Sequence, residues 1–216
     1  MSKPVRLLLV DDHAFFRRGL REMLGEFEAV EVVGEAESGG AALPLVVRRR
    51  PDVVVMDLHM PGLSGAEATL QIRELSPVTE VVMLTVSAVE DDIVDALEAG
   101  AAGYLLKDAR GEEIVHAVAE AAHGGSVLSP AVARTVVERA RRSGAGAVAP
   151  TLKAPLSERE HDVLRLLAEG KDNAEIAGEL FVSVATVKHD VSIVLAKLGA
   201  GNRLQAAIKA VRSGLL

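Results

Sequence analysis

Cysteine and tryptophan are absent from the 216-residue sequence, and aromatic residues make up only 2% of it. The lack of cysteine excludes disulfide bonds, zinc sites with thiolate ligands and cysteine nucleophiles, and it fits a reducing compartment. No run of 18 apolar residues occurs, so we expect no transmembrane helix. The apolar run before Asp11 is also too short for the core of a secretory signal. These absences predict a cytoplasmic protein without a membrane partner.

The abundant residue types suit two domains with aliphatic cores. Hydrophobic residues make up 49% of the chain, and its length is comfortable for two domains. The net charge of −7 is unevenly distributed: residues 1–133 carry 22 acidic and 11 basic residues, whereas residues 151–216 carry eight acidic and nine basic residues. An acidic part joined to a nearly neutral part predicts domains with different partners.

Short apolar runs alternate with helix-length amphipathic segments in the first half of the chain. Several runs are apolar without alternation, as expected for strands buried on both faces. Five such repeats predict an α/β fold with a doubly wound parallel sheet. Pro44 lies inside an expected helix, where it either occupies the first turn or kinks the helix. Strands are predicted at residues 5–10, 30–36, 52–57, 80–85 and 103–107.

Helical signals dominate the second half. A Ser-Pro pair suits an N-cap and a first helical position, so a helix is predicted over residues 130–142. A segment rich in Gly, Ala and Pro follows and has the composition of a linker. Beyond it, Ser157 with Glu160 has the pattern of a capping box, and Ser183 suits the N-cap of a long helix. The apolar face of that helix contains Val187, Val191, Val194, Leu195 and Leu198.

Polar side chains stand where four of the predicted strands end. In open parallel sheets, ligands bind at the carboxyl ends of the strands. We therefore expect three carboxylates, a hydroxyl and an ammonium group to converge at one edge of the sheet. These groups are Asp11 and Asp12 after the first strand, Asp57 at the end of the third, Thr85 at the end of the fourth and Lys107 at the end of the fifth.

These side chains together suit phosphoryl transfer to a carboxylate. Three neighbouring carboxylates repel one another, and a divalent cation such as Mg²⁺ relieves that repulsion. A carboxylate that remains free can act as a nucleophile and form an aspartyl phosphate. Lys107, the Thr85 hydroxyl and the metal could then neutralise the phosphoryl oxygens.

Residues 4–123 resemble the receiver domain of two-component response regulators. The motifs are "LLLVDDH", "VVVMDLHMPGLSG", "MLT" and "GYLLKD". The resemblance implies a flavodoxin-like, five-stranded parallel sheet of order 2-1-3-4-5. It also implies that Asp57 is the phospho-acceptor and that Lys107 binds the phosphate, with Thr85 and Tyr104 as the switch pair. The Mg²⁺ ligands it implies are Asp11, Asp12, Asp57 and the backbone carbonyl of His59.

Phosphohydrolases of the haloacid dehalogenase type are a rival interpretation, because they also attack with an aspartate at a strand end. These enzymes normally carry a second aspartate two residues later as acid and base. His59 stands at that position, and the first strand supplies two further acids instead. The pattern therefore favours the receiver.

Val86 departs from the receiver pattern, because many receivers have Ala or Gly after the threonine. A branched side chain beside the acyl phosphate could narrow the access of water or of a phosphodonor. We therefore expect slow exchange of phosphate at Asp57. Unchanged rates of phosphorylation and hydrolysis in Val86→Ala would contradict this expectation.

The segment from "LSEREHDVLRLL" to "LGAGNR" resembles the LuxR-type helix-turn-helix. From periodicity alone, a small helical bundle with ordinary solvated polar residues fits equally well. Together with a receiver, the motif places the chain in the NarL/FixJ family of response regulators. The expected division is a receiver at 1–125, a linker at 126–153 and a DNA-binding domain at 154–216. The expected DNA contacts are Thr186, Lys188, His189, Ser192, Lys197 and Arg203.

Two residues of the predicted recognition helix depart from the family pattern. Asp190 stands where a histidine is usual, and it opposes a phosphate unless it accepts from a cytosine amino group or a neighbouring base. Ile193 stands where a polar residue is common. The near-neutral charge of this domain also implies modest nonspecific binding. We therefore expect that a monomer binds double-stranded DNA weakly and that a homodimer on paired half-sites recovers affinity.

The two resemblances imply a switch rather than a dedicated enzyme. A partner histidine kinase would phosphorylate Asp57, and slow autodephosphorylation would reset it. Thr85 would move to the phosphate and Tyr104, expected to be half-buried, would turn inward. The resulting change in contacts between the domains and in dimerisation would control sequence-specific DNA binding and transcription. The alternative is a constitutive DNA-binding regulator whose receiver serves only as a dimerisation or docking module.

Overall fold

The computed structural model describes residues 3–128, 132, 154–212 and 215. Its first part alternates strands and helices, as the sequence predicts. The strands are β1 (Val5–Val10), β2 (Val30–Ala36), β3 (Val53–Met56), β4 (Glu80–Thr85), β5 (Gly103–Leu106) and β6 (Val127–Leu128). The helices between them are α1 (Ala14–Leu24), α2 (Gly39–Arg49), α3 (Gly65–Leu75), α4 (Glu90–Glu98) and α5 (Gly111–Ala122).

The strands form one parallel sheet of order β2-β1-β3-β4-β5-β6. This arrangement confirms the doubly wound α/β fold and the 2-1-3-4-5 order of the first five strands. The predicted count of five strands omits β6, which pairs with β5 at the sheet edge. A strand of two residues is too short to give a recognisable pattern in the sequence.

Both faces of the sheet are buried, which explains the continuous apolar runs. Successive residues of a strand point to opposite faces, so Val53 and Val55 pack into one core cluster with α1 and α5. Val54 and Met56 pack into the other cluster with α2, α3 and α4. The ends of β1, β3, β4 and β5 are thereby held at one edge.

Pro44 is the sixth residue of α2 and its side chain is exposed. The helix therefore continues through the proline, which lies beyond the first turn. Arg50 ends the helix in the left-handed region with φ of 47°. Of the two alternatives predicted for Pro44, the first-turn position is excluded.

The second part of the chain is helical. Its helices are α6 (Glu158–Ala168), α7 (Asn173–Glu179), α8 (Val184–Leu198) and α9 (Arg203–Arg212). The capping box of Ser157 and Glu160 is confirmed, and the Ser183 hydroxyl accepts a hydrogen bond from the backbone amide of Thr186. The predicted apolar face of α8 lies in the core of this part, formed by Val187, Val191, Val194, Leu195 and Leu198.

Most of the predicted linker at 126–153, including the helix predicted at 130–142, lies outside the described residues. Within the described part of the chain, no helix combines the length and the apolar character needed to cross a membrane.

Candidate functional site

Asp57 lies directly after β3, and its carboxylate is fixed through both oxygens. Its backbone amide donates to the carbonyl of Val10 at 2.8 Å, which ties it to the end of β1. Its Oδ1 accepts from the backbone amide of Leu58 at 2.8 Å, and its Oδ2 accepts from the Nζ of Lys107 at 2.7 Å. The residue is only 4% exposed. The predicted phospho-acceptor is therefore held in one orientation at the sheet edge.

Lys107 joins two of the predicted acidic residues. Its Nζ lies 2.6 Å from Asp11 Oδ2 and 2.7 Å from Asp57 Oδ2. Its backbone amide donates to the carbonyl of Thr85, which sets the position of the β5 end against β4. Burial acts to lower the pKa of Lys107, but hydrogen bonds and charge interactions with Asp11 and Asp57 outweigh it and raise the pKa. The group therefore remains an ammonium ion.

The acidic cluster has the donor atoms that a hard divalent cation requires. One ligating atom from each of Asp11, Asp12, His13 and Asp57 lies within 4.8 Å of the others. His13 Nδ1 makes an ion-pair contact of 2.8 Å with Asp12 Oδ1, and this buried oxygen accepts no hydrogen bond. Buried carboxylate oxygens with unused lone pairs suit Mg²⁺. The residues present therefore fit a magnesium site.

Two histidines lie at the site: His13 belongs to the acidic cluster, and His59 follows Asp57 in the loop after β3. The side chain of His13 was not predicted as a ligand, and only its position next to the two aspartates could have indicated it. The backbone carbonyl of His59 is expected to be a ligand of Mg²⁺, and this stays a prediction. Its side chain is used elsewhere: Nε2 lies 2.8 Å from Asp92 Oδ2 in α4.

The predicted switch residues are already connected through Ser87. Thr85 is fully buried, and its hydroxyl accepts from the backbone amide of Ser87 at 3.3 Å. The hydroxyl of Tyr104 donates to the carbonyl of Ser87 at 3.0 Å. Tyr104 is also fully buried, and this burial raises the pKa of its hydroxyl. The expectation of a half-buried Tyr104 is therefore wrong, and no turn from solvent into the core remains for it.

Asp92 in α4 ties this network to the residues that follow Asp57. Its Oδ2 accepts hydrogen bonds from the Ser87 hydroxyl and from His59 Nε2. Burial acts to raise the pKa of Asp92, but these hydrogen bonds outweigh it and lower the pKa. The first turn of α4 is thus connected both to the β3–α3 loop and to the switch pair.

Gly65 allows α3 to begin very close to Asp57. A Cβ atom at this position would lie 2.3 Å from the carbonyl oxygen of Asp57 and 2.8 Å from the Cα of Leu58. The amide of Gly65 donates to the Leu58 carbonyl at 2.8 Å. Only glycine fits at position 65, and the sequence alone did not reveal this requirement. Gly62, a few residues earlier, is glycine for another reason, because it lies in a turn with φ of 81°.

A cavity of about 590 Å³ opens above Asp57. Val86 lies at this cavity and is 77% exposed, so its branched side chain stands next to the approach to the carboxylate. The predicted slow exchange of phosphate stays a prediction. The cavity is lined by His13, Ala14, Phe15, Phe16, Asp57, His59, Val86 and Lys107.

The predicted DNA contacts lie in several different environments. His189 is exposed on α8. Lys188 and Ser192 are also exposed, but they line a cavity of about 370 Å³ that receiver residues close from the other side. Thr186 is half-buried, with its hydroxyl 2.8 Å from that of Ser183. One face of the predicted recognition helix is therefore turned towards the receiver.

Lys197 and Arg203 are not free to meet a phosphate in this arrangement. Lys197 Nζ donates to Glu160 Oε2 at 2.7 Å and to the carbonyl of Pro155 at 2.9 Å. Arg203 is only 6% exposed, and both of its terminal nitrogens lack hydrogen-bond partners. Burial lowers the pKa of Arg203, although nearby acids including Asp172 and Glu120 oppose this effect. Contact of either cation with DNA would require a rearrangement.

The two departures on α8 have different surroundings. Asp190 Oδ2 accepts from Arg159 Nε at 2.8 Å, so its charge is compensated within the domain. Ile193 is half-buried.

Hydrogen bonds fasten α9 and the residue before it to the end of α4 and the start of β5. Gln205 Nε2 donates to the carbonyl of Leu97 at 2.8 Å and also to that of Glu98. Asn202 Nδ2 donates to the carbonyl of Ala101 at 2.8 Å. Leu204 and Ile208 pack against the receiver core. The helical second part therefore rests on the same helix whose first turn binds His59 and Ser87.

Two protein families match the chain. The response regulator receiver domain matches residues 7–119. Residues 154–210 match the family described as bacterial regulatory proteins, luxR family. These two ranges coincide with the α/β part and the helical part of the structure.

Relatives of similar length support the same assignment. The chain is 42% identical to the transcriptional regulatory protein LiaR of Bacillus subtilis (strain 168), covering 98% of this chain and 99% of that protein. It is 36% identical to the nitrate/nitrite response regulator protein NarL of Escherichia coli (strain K12), covering 96% and 95%. Among solved structures, it resembles response regulator ChrA of a heme-sensing two-component system at 35% identity, with a TM-score of 0.55 and full coverage of both chains.

Proposed function

The chain belongs to the two-component response regulators that join a receiver domain to a LuxR-type DNA-binding domain and regulate transcription, and on that premise we propose that Asp57 accepts the phosphoryl group that controls it. The observation that carries the proposal is the convergence of Asp11, Asp57 and Lys107 within hydrogen-bonding distance at the edge of the sheet. We propose domain boundaries near residues 125 and 154.

The residues of the site have distinct parts in the transfer. An oxygen of Asp57 attacks the phosphorus of a phosphohistidine, the O–P bond forms, the N–P bond breaks and the imidazole of the kinase leaves. Mg²⁺, held by Asp11, Asp12, Asp57 and the backbone carbonyl of His59, would neutralise phosphoryl charge. The ammonium of Lys107 follows the oxygen that it already contacts, and the Thr85 hydroxyl donates to another phosphoryl oxygen.

The signal leaves the site through α4. When the Thr85 hydroxyl turns to the phosphoryl group, the backbone amide of Ser87 loses its acceptor. The Ser87 segment then shifts, and Asp92 transmits this shift to the first turn of α4. The last turn of the same helix supplies the carbonyls that Gln205 binds. Phosphorylation would thereby weaken the docking of the DNA-binding domain.

Undocking would make the DNA-reading groups available. Lys188 and Ser192 would lose the receiver residues that close their cavity, and Arg203 would leave a buried position where its terminal nitrogens have no partners. A solved structure of the response regulator RcsB with DNA is 25% identical to the chain over 97% of it, with a TM-score of 0.58. We propose that this chain binds double-stranded DNA as a homodimer, in the cytoplasm, after phosphorylation by a histidine kinase.

Phosphorylation with a small acyl phosphate and Mg²⁺ tests the proposal. The mass of the intact protein should rise by one phosphoryl group, and size-exclusion chromatography should show a shift to a dimer. Affinity for duplex DNA should rise at the same time. Asp57→Ala should abolish the gain in mass, the shift to a dimer and the rise in DNA affinity. Asp52→Ala, which removes an acidic residue at the opposite end of β3, should leave all three intact.

The constitutive alternative predicts a different result. In that case the receiver would only dimerise or dock a partner, and the oligomeric state and DNA affinity would be the same with and without the donor. A mass gain that persists in Asp57→Ala would show that Asp57 is not the phospho-acceptor.

A further inference from the structure

The aromatic ring of Phe16 lies over the ammonium group of Lys107. The Nζ atom is 4.6 Å from the ring centroid, within the range of a cation–π interaction. Phe16 belongs to α1 and packs against the core cluster on that face of the sheet. Because the core fixes the ring, its position does not depend on the occupancy of the acidic site.

The ring differs in one respect from the other two contacts of the ammonium group. Asp11 and Asp57 are both proposed magnesium ligands, so a metal ion competes with Lys107 for their oxygens. The uncharged ring of Phe16 does not bind Mg²⁺. It therefore still attracts the ammonium group when the metal ion binds the carboxylates. Lys107 is 11% exposed at its side chain, so solvent weakens this attraction little.

We propose that Phe16 is a positioning residue for Lys107, which holds the ammonium group at the site of phosphoryl transfer when metal occupies the carboxylates. The proposal rests on the proposed function of Asp57 and adds a residue from α1 to it. Phe16 touches neither phosphate nor metal. It acts by limiting how far Lys107 can move from Asp57.

Accessibility of Lys107 to an amine-acylating reagent gives the first test. In wild-type protein, Lys107 should be protected with and without Mg²⁺, because at least one of its contacts persists. In Phe16→Leu, protection should persist without metal and fall about threefold to tenfold when Mg²⁺ is added. Peptide mass spectrometry measures the modification. Phe16→Tyr, which keeps a ring, should behave like the wild type.

Phe27→Leu is the matched control, since Phe27 packs against the same core cluster. Its ring lies near Gly111 at the start of α5. The same substitution there removes aromatic packing without removing a contact of Lys107. Equal changes in Phe16→Leu and Phe27→Leu would overturn the proposal, because they would reflect a general loosening of the core. Should Phe16→Leu fail to fold, Phe16→Met fills the same space without a ring and replaces it.

The rate of phosphorylation gives the second test. At saturating Mg²⁺ and with a small acyl phosphate, Phe16→Leu should accept phosphate roughly threefold to tenfold more slowly than wild type, and Phe16→Tyr at nearly the wild-type rate. An unchanged rate in Phe16→Leu would overturn the proposal. If the wild-type protein accepts no phosphate, the proposed function fails, whereas Lys107 accessibility still tests Phe16 by itself.

Discussion

The acidic site and the region of α8 and α9 differ in how their polar side chains are placed. Asp11, Asp57 and Lys107 are far apart in sequence but meet within 2.7 Å. Lys188, Ser192 and Arg203 are near one another in sequence, and all three line the cavity that receiver residues close, with Arg203 itself buried. Convergence at a sheet edge follows from the fold, whereas exposure of a helix face depends on what covers it.

This difference shows which part of the mechanism each region can specify. The acidic site is built entirely from one domain, so its geometry is complete without a partner. The proposed DNA-binding surface lies against the receiver, so on our proposal DNA competes with the receiver for it. Substitutions at the acidic site should therefore alter its chemistry directly. Substitutions in α8 and α9 should instead alter the equilibrium between binding to the receiver and binding to DNA.

The largest expected effect is at Gly65, where α3 begins very close to the backbone of Asp57. Gly65→Ala should lower the free energy of unfolding by about 3 kcal/mol, because the new Cβ would overlap the carbonyl of Asp57. Chemical denaturation measures the change. Gly178→Ala is the control in the other domain, where nothing lies within 4 Å of the new atom, and stability should rise by about 0.5 kcal/mol. A Gly65→Ala protein of wild-type stability would show that the edge of the sheet is less rigid than described.

A second experiment tests the burial of Arg203. Arg203→Met removes a buried cation with unpartnered nitrogens, so the free energy of unfolding should rise by about 1 kcal/mol. The same change should weaken DNA binding and reduce its salt dependence by about one unit of log–log slope. Arg165→Met, at an exposed ion pair with Glu169, should change neither quantity by much. A clear loss of stability in Arg203→Met would mean that the guanidinium contributes to docking.

The attachment of α9 to α4 gives a smaller effect. Gln205→Ala removes two donated hydrogen bonds, worth about 1 kcal/mol in docking. The unphosphorylated protein should then bind a mixed-sequence DNA duplex roughly fivefold more tightly at low salt, measured by fluorescence anisotropy. Gln71→Ala, at an exposed position of α3, should leave affinity unchanged. Equal affinity for both variants would place the control of DNA binding elsewhere.

The smallest effect is expected at the entrance to the acidic site. Val86→Ala should accelerate both acceptance and loss of phosphate at Asp57 by about twofold to threefold, since the side chain lines the approach to the carboxylate. Loss of phosphate over time, followed by intact mass, measures this change. Val89→Ala, at another exposed valine nearby in sequence, should keep the wild-type rates.

The repeated strand–helix units predicted the doubly wound parallel sheet and the convergence of the acidic site, whereas the order of the strands came from the resemblance to receiver domains. The sequence also predicted the helix starts at Ser157 and Ser183, where local hydrogen bonding is sufficient. It did not predict β6, the full burial of Tyr104 or the requirement for glycine at position 65. The strand β6 is too short to give a pattern, and the other two features depend on three-dimensional packing, which periodicity does not reveal.

The DNA-reading surface was predicted less completely for a related reason. The apolar face of α8 could be identified from spacing, and the polar positions opposite it followed. Spacing within one helix gives no information about what packs against it, so the burial of Arg203 against the receiver and the pairing of Lys197 with Glu160 of α6 could not be foreseen. The pairing of Asp190 with Arg159 likewise joins two helices.

The position of Lys107 between two aspartates means that the chain carries its own counter-ion. Chelation of divalent cations should therefore leave the receiver folded, because the ammonium group of Lys107 still contacts Asp11 and Asp57. A chelator should prevent phosphorylation of Asp57 without unfolding the protein. Adding Mg²⁺ back should therefore restore phosphorylation without any refolding step.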